Sequence, residues 1–338
     1  MIPKIVRPGL SLLLLAALSG CNTVTMNAAG DIARQQADLI KVSVWLMLII
    51  IIPVMILTIV FAWKYRKSAN ARYEPDWDHS TKLELVIWGA PLLIIIALGL
   101  ITWISTHKLD PYRPLDRLDE NRPIPAGTKV LDVQVVSLDW KWLFIYPDLG
   151  IATVNELVAP VDTPIRFKLS SSTVMNAFYI PTLAGMIYTM PGMETSLHAV
   201  VNKAGDYKGQ SSNFSGDGFS HMKFAFKGTS QADFDAWVAK VKASGNTLGR
   251  NDYLALEKPS EKEPVKYYGT VQPQLFMSIV NRCVAEGAVC MNHQMAQDMH
   301  RVRNDIAMRQ LPEDAKRQVA KADAKAEVCE TPTNSVKK

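Results

Sequence analysis

The chain has 338 residues, of which 48% are hydrophobic and 20% charged, with a formal net charge of +5. That length allows one or two domains, the averages are those of an ordinary globular protein, and so small a charge excess gives no reason to look for a nucleic acid partner. The averages conceal a segregation that argues against a uniformly soluble chain: apolar residues gather in three blocks before Asp110, and alternating strands, turns and charged helical sequence follow.

The first block, MIPKIVRPGLSLLLLAALSGC, places Lys4 and Arg7 ahead of an apolar run too short to span a bilayer. This pattern predicts a secretory signal over residues 1–20, removed on maturation. Its ending, Leu18-Ser19-Gly20-Cys21, resembles the lipobox of bacterial lipoproteins, in which the cysteine is diacylated and becomes the mature N-terminus; a signal peptide that merely contains a cysteine is the alternative. Acyl chains on Cys21 would hold the N-terminus at the outer face of the inner membrane, because each buried methylene contributes roughly 0.8 kcal/mol.

The second block runs from Val42 to Trp63 and the third from Leu85 to Thr106, each without an internal charge and each long enough to span a bilayer. Pro53 and Pro91 would break a soluble helix, whereas a packed membrane helix can re-satisfy the freed carbonyl. Trp45, Trp63, Trp88 and Trp103 stand near the ends, where aromatic rings favour the interface. The connecting loop carries Lys64, Arg66, Lys67, Arg72 and Lys82, so it is expected in the cytoplasm, with both the N-terminus and everything after Asp110 outside. A lipidated Cys21 demands the same placement.

From about Lys129 the period changes to two. VLDVQVVSLDW, PIRFKLSSS, SLHAVVN and HMKFAFKG alternate apolar and polar residues between Pro, Gly and Asp, which predicts an all-β sandwich or barrel. After Gly228 the sequence becomes helix-prone, and from about Pro312 it is a polar tail that reads as a frayed helix or disorder. The expected division is therefore residues 21–110 for the lipidated N-terminus and helical hairpin, 111–228 for the exported β domain and 229–338 for a helical extension. Export permits a disulfide, and Cys283 with Cys290 is the closest pair, but Cys329 makes the number odd. His293, His300 and several Met nearby could attract copper or zinc, though a helix bearing incidental polar residues is the preferred reading; no CxxCH motif indicates covalent haem.

DWKWLFIYP at 139–147, GIATVNELVAP at 150–160, VMNAFYIPTL at 174–183 and GQSSNFSGDGFSHM at 209–222 resemble subunit II of the haem-copper terminal oxidases, and most closely the ubiquinol oxidase branch of cytochrome bo type. The resemblance runs in order from the lipobox to about Tyr268. It implies a two-helix transmembrane hairpin followed by a cupredoxin-like sandwich. In the copper-bearing branch that sandwich holds a two-copper centre, and the ligand positions fall here on Asn176, Ser211, Asn213 (a backbone carbonyl), Ser215, Phe219 and Met222. Only Met222 is retained. A mixed-valence copper pair needs bridging thiolates and imidazoles, which Ser and Phe cannot supply, so no metal is expected in this chain; His198 and His221 lie close by but at no ligand position.

Loss of the copper removes the docking port for cytochrome c. The resemblance thus implies ubiquinol as reductant and oxygen as acceptor, with proton pumping, and places the haems and a copper in a large partner subunit beside further small membrane subunits. Catalytic residues are accordingly not expected here. Glu84 matches an acidic residue near the cytoplasmic mouth of a proton pathway, with an ordinary helix N-terminal acid as the alternative. Trp140 and Trp142 match an aromatic motif and are read as packing or interface residues, while Asn155, Glu156 and Asn176 are read as holding the sandwich or its seat. Two rival readings are a copper-bearing electron-entry subunit of a cytochrome c oxidase and a free-standing periplasmic ligand-binding lipoprotein. The missing thiolates speak against the first, and two spanning helices speak against the second.

Overall fold

The computed structural model describes residues 23–310 apart from 70, 73 and 74, together with 312 and 316. The signal segment with Cys21, and Cys329 with most of the polar tail, lie outside the described residues. The chain divides into two compact units, Met1–Val280 and Asn281–Lys338.

Two long helices open the first unit, α1 (Asp31–Lys64) and α2 (Thr81–Lys108). Both carry their proline internally, at Pro53 and Pro91, as the apolar blocks require. Leu85, Trp88 and Trp103 are 75%, 78% and 69% exposed, and the most apolar stretch of each helix has no buried residue. So much apolar surface is tolerable only in lipid, which distinguishes these helices from buried core helices.

At 34 residues α1 is about 51 Å long, well beyond the roughly 30 Å of a hydrocarbon core. The surplus first turns leave the apolar run and dock on the β domain, burying Ala29, Asp31, Ala33 and Ala37. Gly30 permits this approach, since a Cβ there would stand 2.4 Å from the Val200 carbonyl oxygen and 2.7 Å from that of Leu183. The amides of Ala29 and Ala33 donate to the carbonyls of Thr182 and Leu183, and Asn202 donates back to Ala29.

The exported part is a two-sheet sandwich. In chain order its strands are β1 (Leu131–Leu138), β2 (Lys141–Tyr146), β3 (Ile151–Val154), β4 (Glu156–Pro160), β5 (Pro164–Ser171), β6 (Asn176–Tyr179), β7 (Ile187–Thr189), β8 (Thr195–Val200), β9 (Gly205–Ser211) and β10 (Lys223–Thr229). A further strand, β11 (Lys266–Tyr268), completes one sheet in the order β8-β5-β1-β2-β3-β11; the other runs β4-β10-β9-β6-β7. Pairing is antiparallel except for β1 with β5 and β4 with β10, the crossovers that close the two sheets on each other. Between them Trp142 and Phe144 of β2 meet Phe178 of β6 and Phe224 of β10, with ring centroids 5.0 to 6.4 Å apart. The first sheet's β2 is buried on both faces, so its sequence KWLFIY shows no alternation.

Helix α3 (Gln231–Lys242), capped by the Ser230 hydroxyl on the Asp233 amide, packs Phe234 and Val241 on the sandwich. Helix α4 (Arg250–Glu257) and helix α5 (Leu275–Val280) follow in the same compact unit. The first compact unit extends to Val280, since β11 pairs with β3 and joins the intervening helical sequence to the sandwich. The second unit contains the Cys283–Cys290 disulfide and helix α6 (Met291–Gln310).

Candidate functional site

The ligand positions implied by the resemblance do converge. Asn176 begins β6, Ser211 ends β9, and the connecting loop returns through a short 3-10 turn (Asp217–His221) to Met222 before β10. The Ser211 hydroxyl donates to Asn176 Oδ1 at 3.1 Å and lies 3.3 Å from the Asn213 carbonyl oxygen, while the Ser211 amide donates to the Met222 carbonyl at 3.1 Å. Ser215 Oγ approaches Met222 Sδ at 4.0 Å. Phe219 lies against Phe214, centroids 5.6 Å apart. Asn176 and Met222 are buried.

These side chains satisfy one another. Where the copper-bearing pattern requires soft donors aimed at a common point, this cluster has hydroxyls and an amide already hydrogen-bonded, a phenyl ring and one thioether. The residues present do not fit a two-copper centre. His221 is exposed on the 3-10 turn, and His198 is 3.2 Å from the Pro111 carbonyl oxygen through Nδ1, so neither completes a ligand set. Among the described residues no three of His, Cys, Asp and Glu come together as a metal-binding group.

Trp140 closes the cluster. It occupies the β1–β2 turn with φ of 65°, its Nε1–H donates to the Ser215 carbonyl at 3.0 Å, and its ring lies on Gly218. Trp142, two residues on, is wholly buried among Phe178 and Phe224. Of the packing and interface roles expected for it, Trp142 takes the packing one: it lies on the face of β2 that meets the second sheet, and the opposite face of β2 is covered as well. Around the closed loop stands an apolar rim, with Met175, Met186 and Phe214 exposed by 41%, 45% and 77%. Asn213 Nδ2 donates to the Met175 carbonyl and the Ser212 hydroxyl to Met186 Sδ, so three separate loops meet there.

At the opposite edge of the sandwich Glu156 accepts from Lys227 Nζ at 2.7 Å, from the Tyr267 hydroxyl at 2.7 Å and from Trp237 Nε1 at 3.1 Å. Burial pushes this carboxyl up, but those hydrogen bonds outweigh it and hold the group below the usual carboxylate range. Burial and the Glu156 contact raise the Tyr267 hydroxyl to about 12. Asn155, at φ of 58°, accepts from the Trp142 amide and donates to the Glu263 carbonyl; Lys141, also buried, donates to the Lys258 carbonyl and Ser260 hydroxyl. This edge fastens the segment after α3 to the sandwich. The partners Lys227, Trp237 and Tyr267 carried no motif that sequence reasoning could single out.

Far from both, Glu84 sits in the first turn of α2, where its Oε1 is 2.7 Å from His79 Nδ1, and both side chains are exposed. His79 belongs to no motif; only its place five residues before Glu84, across the helix start, points to it.

The chain has counterparts among known proteins. Residues 149–229 match the family model described as cytochrome c oxidase subunit II, periplasmic domain, and residues 242–287 match the COX aromatic rich motif. The chain is 51% identical over 278 residues to cytochrome bo(3) ubiquinol oxidase subunit 2 of Pseudomonas putida, covering 82% of this chain and 85% of that one. It is 49% identical to ubiquinol oxidase subunit 2 of Acetobacter aceti (80% and 86% covered) and 40% identical to quinol oxidase subunit 2 of Bacillus anthracis (74% and 84% covered).

Proposed function

Because the chain belongs to the subunit II family of the haem-copper terminal oxidases, as a ubiquinol oxidase subunit 2, we propose that it serves its oxidoreductase complex without a redox centre of its own. The observation that carries this reading is the closed cluster at the ligand positions, where the Ser211 hydroxyl binds Asn176 Oδ1, Ser215 Oγ faces Met222 Sδ, the Ser215 carbonyl accepts from Trp140, and Phe219 offers only a ring. Electrons therefore enter the complex from a quinol dissolved in the bilayer, and the haems and copper that pass them to oxygen reside in the large subunit. No cytochrome c is used.

This chain contributes assembly and proton entry. The rim of Met175, Met186 and Phe214 is the seat on the large subunit, an apolar patch of the kind that marks interaction surfaces. Glu84 and His79 form a proton-collecting pair where α2 enters the membrane on the cytoplasmic side. Diacylation of Cys21 adds a second hold on the outer leaflet. Metal analysis of the purified complex tests the reading: copper is expected only at the large subunit's stoichiometry, and two further atoms assigned to this chain would overturn it.

A further inference from the structure

A second groove, unrelated to the ligand cluster, opens between α1 and α2 where the helices leave the apolar run. Its volume is about 400 Å³, within the range of small-molecule sites. The lower wall is apolar, built from Leu39 and Val42 of α1 and Ile104 of α2. The upper wall carries Arg34, Lys108 and Arg117.

The charges are arranged for an anion. Arg34 and Arg117 both reach the single carboxylate of Asp31, which is only 2% exposed, so the pair shares one negative charge while being held in place by it. Lys108, exposed at the end of α2, has no ion-pair partner among the described residues. Of the two acids lining the groove, Asp38 is paired with Lys41 at 2.9 Å; Arg34, Lys108 and Arg117 set against Asp31 and Glu120 still leave a positive excess. The level in the membrane is equally defined. Trp45 and Trp103, 68% and 69% exposed, flank this part of the helices as interfacial rings do.

We propose that this groove binds a phospholipid with an anionic headgroup from the outer leaflet, its phosphate on Arg34, Arg117 and Lys108 and an acyl chain along Leu39, Val42 and Ile104. Guanidinium groups suit a phosphate through paired N–H donors, and basic pockets between membrane helices recognise such headgroups. A quinone headgroup carries no charge for the cations, a lipidated N-terminus carries no phosphate, and free phosphate has no use for the apolar wall. The inference requires only that both helices span a bilayer, and it stands whether or not the complex oxidises quinol.

The test is lipid retention by the detergent-purified complex, with bound lipid quantified by headgroup class in native mass spectrometry after repeated washing. Phosphatidylglycerol or cardiolipin is expected to stay in preference to phosphatidylethanolamine. Lys108→Gln, which breaks no ion pair, is expected to weaken retention by about fivefold, and Ile104→Trp, which fills the apolar wall, to remove it. Lys64→Gln at the other end of α1 leaves retention unchanged. Equal retention in Lys108→Gln and Ile104→Trp overturns the proposal. So does an adduct that survives denaturation as a covalent N-terminal lipid, equal retention of phosphatidylethanolamine, or displacement of the bound species by inorganic phosphate alone.

Discussion

The indole N–H of Trp140 donates to the carbonyl of Ser215 across 3.0 Å, tying the β1–β2 turn to the loop that carries the ligand positions. The contact costs backbone strain, since a non-glycine residue at φ of 65° is disfavoured by about 1–2 kcal/mol. It also requires Gly218, where a Cβ would stand 2.4 Å from the indole ring. Trp140→Ala keeps the strain and loses the packing, for an expected cost of about 2 kcal/mol in a half-buried site. Trp140→Gly relieves the strain and is expected to be the milder change. Thermal unfolding and protease cleavage between residues 211 and 222 of the solubilised chain check both, and unchanged cleavage in Trp140→Ala would contradict the clasp.

Glu156 predicts a pH dependence. Its carboxyl lies below its ordinary value of 4.5 in the folded protein, so its stabilisation is present above that value and is lost as the pH falls through the lower folded value. Glu156→Gln removes this acid-side slope. Glu156→Ala leaves Lys227, Tyr267 and Trp237 without their acceptor and is expected to cost about 2–3 kcal/mol at neutral pH. Unfolding curves from pH 3 to 7 measure both, where roughly that interval brackets carboxylate titration.

Glu84 and His79 predict a graded effect on turnover. Glu84→Gln removes the carboxylate and is expected to slow oxygen reduction several-fold without changing haem content. Glu84→Asp retains most of the rate, and His79→Ala has a smaller effect than Glu84→Gln because the acid is the group at the helix start. Steady-state oxygen uptake with proton release measurements distinguishes these. Equal rates for all three variants would reduce Glu84 to an ordinary helix N-terminal acid.

The disulfide Cys283–Cys290 predicts a thiol count. Both cysteines should resist alkylation in the denatured, unreduced chain and accept it after reduction, which mass spectrometry reads directly. Closing so short a loop stabilises the second unit by about 2–3 kcal/mol in the chain-entropy account. Cys283→Ser is expected to increase proteolysis near it.

Much of the fold is legible in the residues, and the exceptions share a cause. Apolar runs with flanking charges announce α1 and α2, and alternation announces β1, β5, β8 and β10 because each presents one face to the core. KWLFIY is silent because β2 is buried on both faces, so nothing in its pattern tells whether Trp142 packs in the core or stands at an interface. The first turns of α1 look polar, yet Asp31 is buried through partners as distant as Arg117, which no local pattern encodes. The same holds for Glu156, whose partners come from β10, α3 and β11. Residues 229–338 read as one helical extension, and β11 within it goes unseen because it is only three residues long, too short for its period to register. At the candidate site the spacing of Ser211, Ser215, Phe219 and Met222 was readable through family resemblance, whereas its closure by Trp140 depends on a left-handed turn residue that sequence does not reveal.

On the proposed function, electrons bypass this chain because its ligand cluster cannot hold copper. Oxygen uptake by the purified complex, with ubiquinol and with reduced cytochrome c as alternative donors, tests it most directly. Rapid uptake is expected with ubiquinol and none above background with cytochrome c. Comparable turnover on cytochrome c, accompanied by two copper atoms in this subunit, would contradict it.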